Sequence, residues 1–412
     1  MAAVDHAAAD YDVLIVGGGL VGASLACALG RCPLRIGMIE SFPFGVAAPP
    51  SYDDRSIALA YGTRRIFEGM GVWREVAAVA TPIERIHVSD RGHFGATRLD
   101  AATHGFDALG YVVESRALGH AFGAALAALP AVEVISPARV TALEAGPVRV
   151  RATVEQGGRA RDVSARLVVG ADGADSAVRR WSGIGALRTD YGQSAVIANL
   201  TPERPHRNIA YERFTDSGPL ALLPLSEQRC ALVWTVRADD CAAVMALTDG
   251  EFLARLQARF GGRLGRLQRV GARTAYPLAL VRAERYTAAR LALIGNAAHT
   301  LHPIAGQGFN LGLRDVVALA EVVADAVAAG NDIGDAVALA RYADWRRRDQ
   351  DHVLRTTDGL VRLFSNDHAP LVLARNAGMV LADLLPPLKR ALLRRAMGLA
   401  GRQPRLARGL PL

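Results

Sequence analysis

Apolar positions along the chain follow two different periods, and the switches between them mark the elements. Val13-Leu14-Ile15-Val16 is an unbroken aliphatic run, as a strand buried on both faces requires. Ala23 to Leu29 behind it predicts a helix, and Leu34 to Ile39 predicts a second strand. Comparable short runs recur at Leu167-Val168-Val169 and at Leu291 to Ile294. Further on, Leu313, Val316, Val317, Ala320, Val323, Ala324 and Val327 recur at the 3.6-residue period of a helix with one buried face. The middle of the chain reads differently. Residues 193–200, 207–214, 218–225 and 229–236 alternate or run apolar between Gly and Pro breaks, which predicts antiparallel strands. Strands that feed helices toward both ends, with strands alone between them, predict an α/β fold interrupted by a mostly antiparallel sheet.

The turns that join strand to helix carry the chemistry. The first strand runs into Gly17-Gly18-Gly19-Leu20-Val21-Gly22 and then into the helix. In that context Gly17 permits a tight turn, Gly19 lets the backbone approach a pyrophosphate, and Gly22 lets helix and strand pack closely. The helix start offers free N–H groups and a partial positive charge to the phosphates. Glu40 ends the second strand 18 residues after Gly22, near the spacing of a carboxylate that bonds an adenosine ribose. A Gly-rich turn followed by a surface Glu is the plainer account of the same residues. The fingerprint predicts a dinucleotide and does not separate FAD from NAD. A second small-residue turn holds Asp172 and Gly173, with Ser176 and Arg179 in the helix after it. A third begins at Gly295-Asn296 and continues through His299, His302 and Pro303-Ile304-Ala305-Gly306-Gln307-Gly308 to the long helix. A capped helix start would also use Pro and Gly there.

The chain has 412 residues, 51% hydrophobic and 21% charged, enough for two domains or one large domain with a second lobe. Residues 1–9 are Ala-rich, do not read as a secretory signal and are expected to fray. Cys27, Cys32, Cys230 and Cys241 form no CxxC pair or zinc-spaced cluster, which suits a reducing cytoplasm. His87 and His93 lack a third ligand nearby, so a surface or hydrogen-bonding role is expected rather than a metal. The formal charge of +8 is concentrated at the end: Leu388 to Leu412 holds seven basic residues and no acidic one. That stretch lacks interleaved aromatic residues, so nucleic acid is not an expected partner.

Gly17-x-Gly19-x-x-Gly22, Asp172-Gly173 and Gly295-Asn296-Ala297-Ala298-His299 resemble the three motifs of the class A flavoprotein monooxygenases of para-hydroxybenzoate hydroxylase type. The run from Ala297 to Gly312 is similar, more narrowly, to the ubiquinone-biosynthesis hydroxylases. So are Asp54 to Leu59, His87 to His93, Ala195 to Asn199 and Glu212 to Ala221, and the likeness spans roughly residues 11–380. Asn296 departs from the wider class, where an Asp usually contacts the flavin ribityl chain; an amide keeps the hydrogen bonds and loses the charge.

The resemblance implies a Rossmann-like FAD-binding domain assembled from residues 10–75, 110–180 and 282–365. Residues 76–109 and 181–281 would form the inserted substrate domain, and 366–412 a C-terminal helical and basic tail. It implies NAD(P)H as co-substrate, bound transiently because no second strand–GxGxxG–helix unit follows, and O2 activated as a flavin hydroperoxide that attacks a ring. The ring would belong to a polyprenylated methoxyphenol of ubiquinone synthesis. Hydroxylation at another position or of another phenol, or a flavin-carrying assembly role in a multienzyme complex, are the rivals. No catalytic side chain is required by such chemistry; His299 and His302 are the candidates. Arg55 and Arg116 match positions that touch FAD in relatives, and either is otherwise a helix-end charge. A helix start at Gly306 to Gly308 would stabilise negative charge on reduced flavin. Phe214, Leu222, Pro224 and Trp234 are candidates for the apolar substrate pocket, or else ordinary sheet core. A prenylated substrate resides in the bilayer, so a cytoplasmic protein meeting the inner face of the membrane peripherally is expected, with Leu388, Leu392, Met397 and Leu399 among the arginines of the tail as the contact.

Overall fold

A computed structural model describes residues 9–45, 55–301, 306–364 and 368–412. His302 and Pro303, singled out above, and Asp54 lie outside the described residues.

The aliphatic run Tyr11–Val16 becomes the middle strand of a parallel sheet, with Val13, Leu14 and Ile15 wholly excluded from solvent. Ile36–Ile39 and then Val132–Ile135 lie on one side of it, and Arg159–Gly170 and then Leu291–Leu293 on the other, all parallel. Residues near 16, 170 and 293 therefore end side by side, although they are far apart in sequence. A ribbon of Arg139–Ala145 and Val150–Gln156 extends this sheet antiparallel to Arg159–Gly170. The helices Leu20–Leu29 and Gln307–Ala328 bury their apolar faces in its core, including Leu25, Leu313, Val316 and Val317.

The middle of the chain forms a nine-stranded sheet. Ala186–Pro202, Ile209–Thr215, Gly218–Pro224, Cys230–Arg237 and Thr274–Ala283 pair antiparallel, as the alternation predicts. The exception is a parallel pairing of Ile209–Thr215 with Arg85–Asp90. One face of this sheet is covered by two helices, Ala238–Met245 and Asp249–Phe260, which the hydrophobic pattern did not predict. A readable signal was present: Thr248 and Glu251 form a capping box at the second helix start.

A small sheet of Ser56–Ala60, Gly110–Glu114 and Thr81–Ile83 lies between the two large ones. Thr81–Ile83 pairs with Gly110–Glu114 there while Ile83 packs on Ala210, Leu225 and Ala231, and His299–Thr300 adds to the edge of the nine-stranded sheet.

The C-terminal stretch is helical and packs back on the rest of the protein. Helices Ala369–Leu384 and Pro386–Ala396 lie on the hairpin of Arg85–Asp90 and Ala96–Asp100, and Leu393 and Met397 are buried with Leu99, Ala101 and Leu109. The chain then returns to the first domain, where Leu406 and Ala407 join the main core. A Cβ on Gly62 would stand 2.9 Å from the Gly398 carbonyl oxygen, so this return depends on a glycine. Several of the basic residues are neutralised locally: Lys389 by Asp383 (2.9 Å), and Arg405 by Asp325 (2.5 Å). Met397 is wholly buried and Leu399 partly so.

Candidate active site

Strand order decides where the glycine turns go. The Gly17 N–H donates to Ile39 O (2.9 Å), Ala171 N–H to Val16 O (2.8 Å) and Ile294 N–H to Gly170 O (3.0 Å), so the three turns are stitched together in sequence. Gly17 has φ +104°, and a Cβ there would stand 2.5 Å from Ala171 O: the first turn touches the second. A Cβ on Gly295 would press on Val21 Cγ1 at 3.0 Å, and one on Gly312 would meet Gly295 Cα at 3.2 Å. The third turn is thus pinned between the first helix and the long one. A Cβ on Gly22 would stand 1.9 Å from Gly17 O, which explains the third glycine of the fingerprint.

Beside the first turn opens a cleft of about 560 Å³ lined by Gly18, Gly19, Glu40, Phe42, Gly45, Arg116 and His120. The Glu40 carboxylate accepts from Gly18 N–H (2.7 Å) and Phe42 N–H (2.9 Å), which fixes it at the cleft wall. Arg116, in the first turn of Ser115–Ala127, stands 3.6 Å from Glu114. Arg55 lies apart from it, donating to the Tyr276 hydroxyl (2.6 Å) across the gap between the sheets. Asp172 is spent on its own turn, accepting from Ser176 Oγ and from Val178 N–H, while Gly173 at φ +86° faces open space. Arg179 donates to Ala297 O (2.8 Å) and ties the second turn to the third. Asn296 is the one exposed residue in the buried run from Leu291 to His299.

At the start of the long helix, Gly306 caps in the left-handed region (φ +60°), and Gly308 has nothing within 4 Å of where a Cβ would be. Asn310 holds this end down. Its Oδ1 accepts from Ala60 N–H (2.8 Å) and Thr63 Oγ1 (2.7 Å), and its Nδ2 donates to Ala58 O (2.9 Å) and Gly306 O (2.7 Å). Every hydrogen-bonding site of one buried amide tying three elements together is a role the sequence did not reveal.

A second unforeseen feature lies beneath the third turn. Asp315, with no exposure, accepts from Gly295 N–H (3.0 Å) and faces His299 Nε2 (2.6 Å) through one oxygen. Through the other it accepts from Arg346 Nε and Gln350 Nε2, both at 2.7 Å. Burial would raise its carboxyl, but the charges of His299 and Arg346 overcome that and hold it down at about 2. His299 is accordingly a buried partner of Asp315, and its Nδ1 meets no partner among the described residues.

The expected pocket residues divide by strand parity. Leu222 and Trp234 project from the covered face of the nine-stranded sheet, Trp234 edge-on to Phe252 at 5.4 Å; Pro224 pairs with Cys230 on that same face. These three are core of the substrate domain, not pocket, because the unforeseen helices occupy that side. The opposite face carries Ile197, Val233 and Ala221, adjacent across three strands and only partly buried. It turns toward the small sheet, where Ala231 and Leu223 meet Ile83 and Val112. Phe214 does lie on this face, its ring stacked on Phe364 at 3.6 Å.

Residues 10–357 match the family model described as FAD binding domain. A ubiquinone hydroxylase, UbiL, of Rhodospirillum rubrum is 44% identical over 97% of this chain and 93% of its own length. The chain belongs to the FAD-dependent hydroxylases of ubiquinone biosynthesis. The 3-demethoxyubiquinol 3-hydroxylase of Escherichia coli is 34% identical, over 94% of this chain and 98% of that one. Human mitochondrial ubiquinone biosynthesis monooxygenase COQ6 is 31% identical, over 92% and 91%. In fold, the p-nitrophenol 4-monooxygenase PnpA of Pseudomonas putida superposes with a TM-score of 0.78 at 21% identity, over 95% of this chain and 98% of that one. This chain is accordingly an FAD-dependent monooxygenase. The cradle fits FAD on its own terms: Gly19, Gly173 and Gly308, where a Cβ would stand in open space, a fixed carboxylate at Glu40, and exposed Asn296. No group of His, Cys, Asp and Glu suited to a metal occurs among the described residues.

Proposed function

We propose that this protein hydroxylates the ring of a polyprenylated methoxyphenol in ubiquinone synthesis, at the expense of NAD(P)H and O2. Hydride acceptance and oxygen activation are what FAD supplies when bound. The residues bind, orient and shield. The Gly19 amide and those at the start of Leu20–Leu29 would take the pyrophosphate, Glu40, held by the Gly18 N–H, the adenosine ribose, and Arg116 would add charge at the cleft wall. Asn296 serves the ribityl chain. The helix start at Gly306, Gln307 and Gly308 would hold the flavin ring end, where it favours negative charge. The row Ile197, Val233 and Ala221 would form an apolar wall for the substrate ring and keep water from it.

One observation supports this reading above the rest: three turns from distant parts of the chain meet at the carboxyl ends of adjacent parallel strands. Purified protein supplied with a short-chain prenylated phenol tests it. NAD(P)H oxidation should rise with the phenol, and the product should gain the mass of one oxygen atom. A yellow protein whose NAD(P)H oxidation ignores every phenol would instead fit a flavin-carrying assembly protein. We place the protein at the inner face of the cytoplasmic membrane, where such a substrate would reside.

A further inference from the structure

The helix Ala369–Leu384 is built inside out. Its charged and amide side chains point into the protein. Arg375 Nε donates to Asp90 Oδ2 at 2.8 Å, with both side chains only 3% exposed. Asn376 donates to the same oxygen (2.9 Å) and accepts from Gly95 N–H (2.8 Å). Asp383 accepts from Arg98 N–H (2.9 Å) and faces Lys389. The side turned outward holds Leu371, Leu373, Ala374, Ala377, Gly378, Leu381 and Leu384, without one charged residue. Leu373 is 63% exposed and Leu384 is 69% exposed. A surface helix in water has the opposite arrangement.

The apolar strip continues around a 96° bend into Pro386–Ala396, where Leu385, Leu388 and Leu392 are exposed. Arg390, Arg394 and Arg395, also exposed, flank it. No single described helix is long and apolar enough to cross a membrane. Leucines bordered by arginines on a bent pair suit a layer that is apolar inside and anionic at its surface.

We propose that this helix pair is a docking surface that lies in the interface of an anionic bilayer, the leucines among the acyl chains and the arginines at the headgroups. The proposal rests on the reading of a prenylated substrate only for its purpose. The position suits that purpose: Met379 of the docking helix packs with Phe364 and Phe214, and Phe214 belongs to the pocket-facing side of the substrate sheet. The Asp90 cluster makes the attachment rigid, so the docked surface and the sheet move together.

Sedimentation of the FAD-loaded full chain with vesicles tests this. Wild type should pellet with phosphatidylcholine vesicles containing phosphatidylglycerol. Substituting Leu373→Asp, Leu381→Asp and Leu384→Asp together should weaken partition by about tenfold or more. Reversing Arg390, Arg394 and Arg395 to Glu should abolish the preference for phosphatidylglycerol. Flavin content should be unchanged in both variants, because none of these residues lines the cleft. A leucine variant that keeps its flavin and pellets like wild type overturns the proposal. So does a wild type that ignores all vesicles, whether it stays monomeric or pairs through its leucines in light scattering. Vesicle binding that survives alongside absent phenol hydroxylation would count against the hydroxylase reading and leave the docking surface standing.

Discussion

Replacing Asp315 by Asn would leave four donors facing an amide and buried Arg346 with Asp349 as its remaining carboxylate partner. Breaking a buried pair in this way costs about 3–5 kcal/mol, so urea unfolding of Asp315→Asn should show a markedly lower midpoint than wild type. Gly306→Val tests a different residue-scale constraint. A branched side chain at φ +60° is strained, and its Cβ would stand 2.8 Å from Ala58 Cβ. The variant should lose flavin on desalting, read as the ratio of flavin to protein absorbance; normal retention would remove Gly306 from the cradle. Gly306 could be named from sequence because turn chemistry is local. Asp315 and Asn310 could not. The partners of Asp315 lie 16 to 35 residues away, and those of Asn310 other than Gly306 lie 247 to 252 residues away, so nothing local announces the meeting.

At the scale of elements, strand parity outweighs hydrophobicity. A sheet with both faces covered gives every residue an apolar neighbour, so Trp234 and Leu222 read as pocket when they are core; shifting by one residue to Val233 and Ala221 changes the face. Two substitutions separate the roles. Trp234→Ala should lower stability by about 3–5 kcal/mol in chemical unfolding. Val233→Phe should keep the flavin and raise KM for the phenol. The same sheet carries a pH signature. Burial first, then the charges of Arg263 and Arg98, push His87 down to about 4 from 6.5. Below 6.5 the unfolded chain takes up a proton that the folded one refuses, so stability is complete above 6.5 and declines as pH falls toward 4. Unfolding midpoints at pH 7 and pH 5 should differ less in His87→Gln than in wild type. The helices that hide Trp234 do not figure in the sequence reading, although Phe252, Leu256 and Phe260 at four-residue spacing and the Thr248–Glu251 cap both signal one of them.

For the molecule as a whole, the alternation of strands and helices was enough to foresee two sheets and a cofactor on one of them. The order of strands was not legible, since it depends on which buried runs pair across hundreds of residues. The path of the last fifty residues was not legible either, because basic composition suggests solvent while Leu393, Met397 and Leu406 make contacts that composition does not encode. The strand order has a consequence for assembly. Arg159–Gly170 sits between the strand that begins at Tyr11 and the one that begins at Leu291, so neither the early nor the late part of the chain can complete the cradle alone. Such distant pairings close slowly. A nucleotide bound at these turns would act as a clasp for segments that entropy otherwise keeps apart. Refolding in its presence should therefore give more native protein than adding it afterwards.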